Sequence, residues 1–268
     1  LDLVADYCRR TLDECAACFT ASDEDGNTIR PLPGIVDALK DLTDTLHPFL
    51  KTLPSDGSPA EVLKELEDAR SAFHPDMDGF EQEITRQEKA WKQQKPTNGE
   101  LKKAVDRLAP LAESSRDLIK QIDLLYKLAC RLIEACENNG DARQSDTWNN
   151  RDITRTRKTT DNLRQRAVEQ LKQVRYFWKQ AHWLTERFPD AKLRDVEGLV
   201  KVVDRSELET NDWSLTPGRY VGVAPEEEDE NFDFEETLRE VHVELEDLNA
   251  EAIKLAKTIK KNFVELGV

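Results

Sequence analysis

Apolar residues recur at three- and four-residue steps along most of this chain, the spacing of one face of an α-helix. Leu1, Leu3, Val4, Tyr7, Cys8, Leu12, Cys15 and Phe19 mark a first amphipathic helix, which the turn-rich stretch SDEDGNTIRPLPG ends. Ile35, Val36, Leu39, Leu42, Leu46, Phe49, Leu50 and Leu53 mark a second, with Pro48 placed to kink its end. A third begins near Ala60, is interrupted or kinked at His74-Pro75, and continues through Phe80, Ile84 and Trp91 to about Gln94. The strongest stripe, Leu108, Leu111, Leu118, Ile122, Leu125, Leu128, Leu132 and Ile133, predicts a helix over 100–137, with Pro110 as a kink and Asn139-Gly140 as its end. A long basic helix is predicted from Asp152 to Phe188.

After Pro189 the pattern changes. LRDVEGLVKVVDRSELETNDWSLTPGRYVGV holds short β-prone runs, a capping sequence at Asp204-Arg205-Ser206-Glu207 that opens one short helical turn, and a Pro217-Gly218 pair suited to a type II turn. The acidic block Glu226, Glu227, Glu228, Asp229, Glu230 is read as an exposed hinge. Beyond it Leu238, Leu245, Ala252, Ile259 and Leu266 follow at intervals of seven, with Val241, Leu248 and Leu255 between them and Asn262 as the polar exception. Such a repeat is a coiled-coil seam. About thirty residues at roughly 1.5 Å each make a rod of about 45 Å, whose apolar strip needs cover from another helix. Both this chain's own front helices and a separate polypeptide can supply that cover.

The expected architecture is all-α: an elongated helical bundle, an irregular connector and a C-terminal coiled-coil-like helix, over residues 1–188, 189–231 and 232–268. At 268 residues the chain is long enough to bury a core without cross-links. It opens on Leu1 rather than Met and is read as part of something longer. No apolar run approaches the roughly 18 residues of a membrane span, so no membrane partner is expected. The five cysteines (Cys8, Cys15, Cys18, Cys130, Cys136) fall inside helical patterns; Cys15-x-x-Cys18 lacks the second close pair of a zinc ribbon. Their expected role is as small buried hydrophobes in a reduced, cytoplasmic setting.

The formal net charge is −15, which opposes a nucleic-acid role for the chain as a whole. Residues 143–179 differ: ten Lys or Arg against four acids leave +6 there and −21 elsewhere. Arg151, Arg155, Arg157, Lys158, Arg164 and Arg166 are the candidates for DNA contact, since clustered cations release counterions on binding phosphate. A solvated face paired with the acidic tail is the competing reading. Tyr176, Phe177, Trp178 and Trp183 are candidates for stacking on bases and, more simply, for packing between helices.

Enzyme motifs are missing. No two of the ten glycines are two apart, so there is no G-x-G loop for a phosphate or adenosyl group, and no two prolines are adjacent. His47, His74, His182 and His242 lie far apart, without H-x-x-x-H spacing. No catalytic, cofactor or metal residue is assigned.

Three phrases carry a family resemblance: FPDAKLRDVEGLVK from Phe188 to Lys201, WSLTPGRYVG from Trp213 to Gly222, and NFVELG at the end of the last helix. Together they resemble the C-terminal end of the modification (M) subunit of type I restriction-modification systems. The resemblance covers 188–268; the front segment is similar to the variable helices that some of these subunits carry after their catalytic domain. It implies a parent subunit that methylates adenine N6 in DNA with S-adenosylmethionine, in complex with a specificity (S) subunit that reads the DNA and a restriction (R) subunit. The cofactor loop and the N-P-P-F/Y motif of that parent are not in this sequence, so this chain alone is expected to be non-catalytic and to serve assembly. Leu238, Val241, Leu245, Leu248, Leu255, Ile259 and Leu266 are the expected partner-binding residues. A free-standing helical scaffold or self-associating coiled coil unrelated to DNA is the alternative.

Overall fold

The computed structural model describes residues 1–22, 26–54, 57–139, 142, 145–223 and, in the terminal region, 245, 252, 256 and 259. The protein is all-α, and it divides into two units, Leu1–Leu193 and Arg194–Val268.

The first unit is built from helices α1 (Asp2–Ala17), α2 (Pro31–Leu50), α3 (Ser58–Lys92), α4 (Asn98–Asn139) and α5 (Asn150–Arg187). In α1 the buried residues Val4, Cys8, Leu12 and Cys15 repeat at three- and four-residue steps, so one face enters the core. After α1 the chain makes a hairpin, β1 (Ala21–Ser22) paired antiparallel with β2 (Thr28–Ile29), and Gly26 supplies a left-handed φ of 81° in its loop. The Leu32 N–H then donates to the Cys18 carbonyl at 2.9 Å, so α2 starts where α1 stopped. Pro31 opens α2, where its missing N–H costs nothing.

Both short helices run antiparallel to α5. Near the start of α1, Tyr7 stacks on Phe177, late in α5, with ring centroids 6.2 Å apart. Gly34, early in α2, faces Leu163, and at the far end Phe49 meets Trp148 edge-on at 5.1 Å. The 16 residues of α1 and the 20 of α2 thus match the 38 of α5, a rod of roughly 57 Å at about 1.5 Å per residue. With α3 packed on α4 and α4 on α5, the unit is an antiparallel four-rod bundle whose first rod is broken by the hairpin. A Cβ on Gly34 would come within 3.3 Å of Leu163, so glycine lets α2 approach closely.

Phe49, Phe73, Leu12, Leu39, Leu111 and Ile122 are fully buried. The stripe expected in α4 is buried along its whole length, from Leu108 to Ile133. Buried hydroxyls are satisfied within their own helices: Thr11 donates to the Tyr7 carbonyl, Ser115 to that of Ala112 and Thr160 to that of Thr156. Arg9 ties α1 to α3 through Glu88 and also holds Asp13. Helix α3 passes through Pro75 as one element, which decides against an interruption there: packing on α4 outweighs the lost backbone bond. Pro48 and Pro110 also lie inside continuous helices.

In the second unit the described stretch 194–223 contains one short helix, α6 (Arg205–Thr210). Its first turn is capped by Asp204, whose Oδ1 accepts from the Glu207 N–H at 2.9 Å. The β-prone runs yield a single isolated bridge among the described residues, Val196 with Val200, around Gly198 at φ 72°. Pro217–Arg219 form a 3-10 turn, not the expected type II turn: Gly218 is not left-handed, and Gly222 takes the positive φ of 71° instead. The acidic block 226–230 lies outside the described residues. Among the described residues no helix is long and apolar enough to cross a membrane.

Candidate interaction surfaces

Helix α5 touches α1, α2 and α4 with one side and turns the other to solvent. Ile153, Thr160, Ala167, Leu171, Val174 and Ala181 form the inner side. The Asn149 side chain accepts from the Asp152 N–H at 3.1 Å and fixes where the helix begins.

The six basic candidates separate into different environments. Arg151, Arg155, Arg157 and Lys158 are exposed and Arg166 is half-buried. Arg155 pairs with Asp152 at 3.2 Å; Arg151, Arg157, Lys158 and Arg166 form no ion pair among the described residues. Arg164 belongs to the fold: it bonds Asp123 of α4 and Asp161, each at 2.9 Å, and lies 4.9 Å over the Tyr126 ring. Burial disfavours its charge, but the two carboxylates outweigh that and hold its pKa above the ordinary value. Burial pushes the neighbouring Tyr126 hydroxyl up to about 12.

Lys172 and Lys179, absent from those six, are exposed on the same outer side. The signal that finds them is a step of seven. Arg151, Lys158, Gln165, Lys172 and Lys179 occupy one position of a seven-residue repeat, and all five are exposed. Of the four aromatic candidates Tyr176 is 52% exposed, and the other three serve packing. Trp178 Nε1–H donates to the Val105 carbonyl at 3.0 Å, Phe177 lies between Tyr7 and Arg10, and Arg187 covers Trp183 at 4.5 Å.

Of the expected partner-binding residues in the heptad, Leu245 and Ile259 are described. Both are helical, and they are 53% and 47% exposed; Ala252 between them is helical and exposed too. Leu238, Val241, Leu248, Leu255 and Leu266 lie outside the described residues.

All five cysteines are free; Cys8, Cys15, Cys18 and Cys136 are buried and Cys130 is half-buried. Burial pushes the Cys8 thiol up to about 12 and that of Cys136 to about 11, so both stay protonated and unreactive near neutrality. No cluster of His, Cys, Asp and Glu among the described residues could hold a metal ion.

No protein-family model and no solved structure matches this chain. Over 73 residues it is 38% identical to the type I restriction enzyme HindI methylase subunit of Haemophilus influenzae. The matched stretch is 27% of this chain and 16% of that relative, so the likeness spans about one sixth of the relative's length. The chain is thus an all-α protein similar, in part, to a type I restriction methylase subunit.

Proposed function

We propose that this chain is a non-catalytic helical region of a type I modification subunit, and that its terminal heptad helix docks the subunit onto the specificity subunit. The observation that carries the reading is the exposure of Leu245 and Ile259, two helical residues two heptads apart. Large aliphatic side chains left in water at a fixed position of a seven-residue repeat favour burial against a second helix, each by roughly 1.5–3 kcal/mol when fully covered. The partial similarity to a methylase subunit supplies the context in which that second helix belongs to the specificity subunit. In this reading the parent subunit transfers a methyl group from S-adenosylmethionine to adenine N6, and its cofactor and catalytic groups lie in another part of it. The restriction subunit and DNA join through the same complex.

The test is co-purification with the specificity subunit. Replacing Leu245 and Leu248 together by Asp should abolish the complex while the helical signal of the bundle persists. An unchanged complex rejects the docking role. Light scattering of the isolated chain separates the rival reading, a self-associating coiled coil, which requires a stable dimer without any specificity subunit.

A further inference from the structure

Several arginines of this bundle pair with carboxylates, among them Arg9, Arg10, Arg86, Arg131 and Arg164, in a chain where acids outnumber bases by 54 to 39. The cations of the outer row of α5 do not. Arg151, Lys158, Lys172 and Lys179 are exposed and form no ion pair among the described residues, although α2, packed on the same helix, presents Asp37, Asp41 and Asp44 to solvent. Successive positions of the row are about 10.5 Å apart, and the whole runs roughly 42 Å at about 1.5 Å per residue.

The adjoining row, Arg155, Asn162, Glu169 and Tyr176, is also exposed and carries one acid and one ring. A partner helix would need an apolar stripe to pack on, and this side of α5 has none. A long line of exposed cations in one register, broken once at Gln165 and without ion pairs among the described residues, suits a polyanion that stays hydrated, held by counterion release instead of by packing.

We propose that the outer row of α5, Arg151, Lys158, Lys172 and Lys179, is a track for the phosphate backbone of duplex DNA. The choice of DNA among polyanions rests on the methylase reading above; the row itself does not. The proposed contact is to phosphates, which carry no base sequence, so it is independent of sequence. Arg164 takes no part, being held by Asp123 and Asp161.

The experiment is fluorescence anisotropy of the full chain with a labelled duplex of about 30 base pairs over a salt series. Four phosphate contacts predict a slope of log K against log salt of about −3.6, so binding weakens on the order of 100-fold between 50 and 200 mM salt. Changing Arg151, Lys158, Lys172 and Lys179 together to Gln should remove most of that slope. A charge-matched control, Lys51, Lys64, Lys89 and Lys92 to Gln, should keep it; circular dichroism confirms that both variants fold. Absence of duplex binding, or equal loss in the two variants, overturns the track. Tighter capture of polyglutamate or of single-stranded RNA than of duplex DNA overturns it in favour of those partners. None of these outcomes bears on co-purification with the specificity subunit, so the track and the docking helix stand or fall separately.

Discussion

The helical bundle and the stretch 194–223 hold their shapes by different means. In the bundle, order follows burial: Phe49, Phe73 and the leucine stripe of α4 lie out of water between antiparallel rods. In 194–223 no residue is buried, and Leu215 (81%) and Trp213 (54%) are exposed. Backbone and side-chain hydrogen bonds fix it instead. The Gly198 N–H donates to the Val221 carbonyl at 2.6 Å, Asp195 accepts from the Val202 N–H at 2.9 Å, and the Tyr220 hydroxyl reaches the Ser214 carbonyl. Asp212 and Trp213 adopt left-handed φ of 54° and 56°, which side chains other than Gly, Asn and Asp seldom do. The Trp213 N–H is anchored to the Leu208 carbonyl at 2.8 Å, and Arg205 covers the ring at 5.5 Å. A core tolerates change poorly at any buried point; a bonded coil depends on a few individual contacts.

Three measurements bear on this contrast. The largest effect should come from Phe49→Ala, which empties a buried site and should cost about 3–5 kcal/mol in urea unfolding, whereas Leu215→Ala should stay within about 0.5 kcal/mol. Similar costs for the two would break the contrast. Next comes alkaline pH. The Cys8 thiol is raised from 9.0 to about 12 in the folded chain and that of Cys136 to about 11, so the folded state holds these protons more tightly than the unfolded state. The stabilisation is complete below about pH 9 and is lost as pH climbs toward 12. Urea midpoints should fall across that window, and a flat profile would contradict the burial of the thiols. The smallest effect belongs to the coil. Asp204→Ala removes the cap of α6, about 1 kcal/mol, and should speed amide exchange over 205–211 while leaving the bundle's urea midpoint unmoved.

The bundle was largely legible because burial leaves a periodic trace. The stripes of α1 to α5 mark their inner faces, and the expected limits of α5 lie within two residues of the observed ones. The trace does not name partners, however. That α1 and α2 share one length of α5 depends on the hairpin and on the Leu32 to Cys18 bond, which leave no periodic mark. In the connector, the type II expectation failed because the positive φ went to Gly222, where the Glu197 side chain lies 3.6 Å from where a Cβ would sit. The candidate surfaces were partly legible. The cation cluster is plain in the composition, and the charge count took in Lys172 and Lys179, but the six candidates drawn from it included Arg164, whose partners are 41 and three residues away, and left out those two lysines, which the step of seven connects to Arg151 and Lys158.

One small detail of the bundle reaches further. Leu1 and Leu3 line the same cavity, about 290 Å³, as Phe188, Ala191 and Leu193. The first and last residues of this unit therefore stand side by side at one end, like the two feet of a hairpin. A bundle whose two ends meet can be lengthened or trimmed by whole turns without moving those ends apart. Rod length and the spacing of the ends are thus set independently.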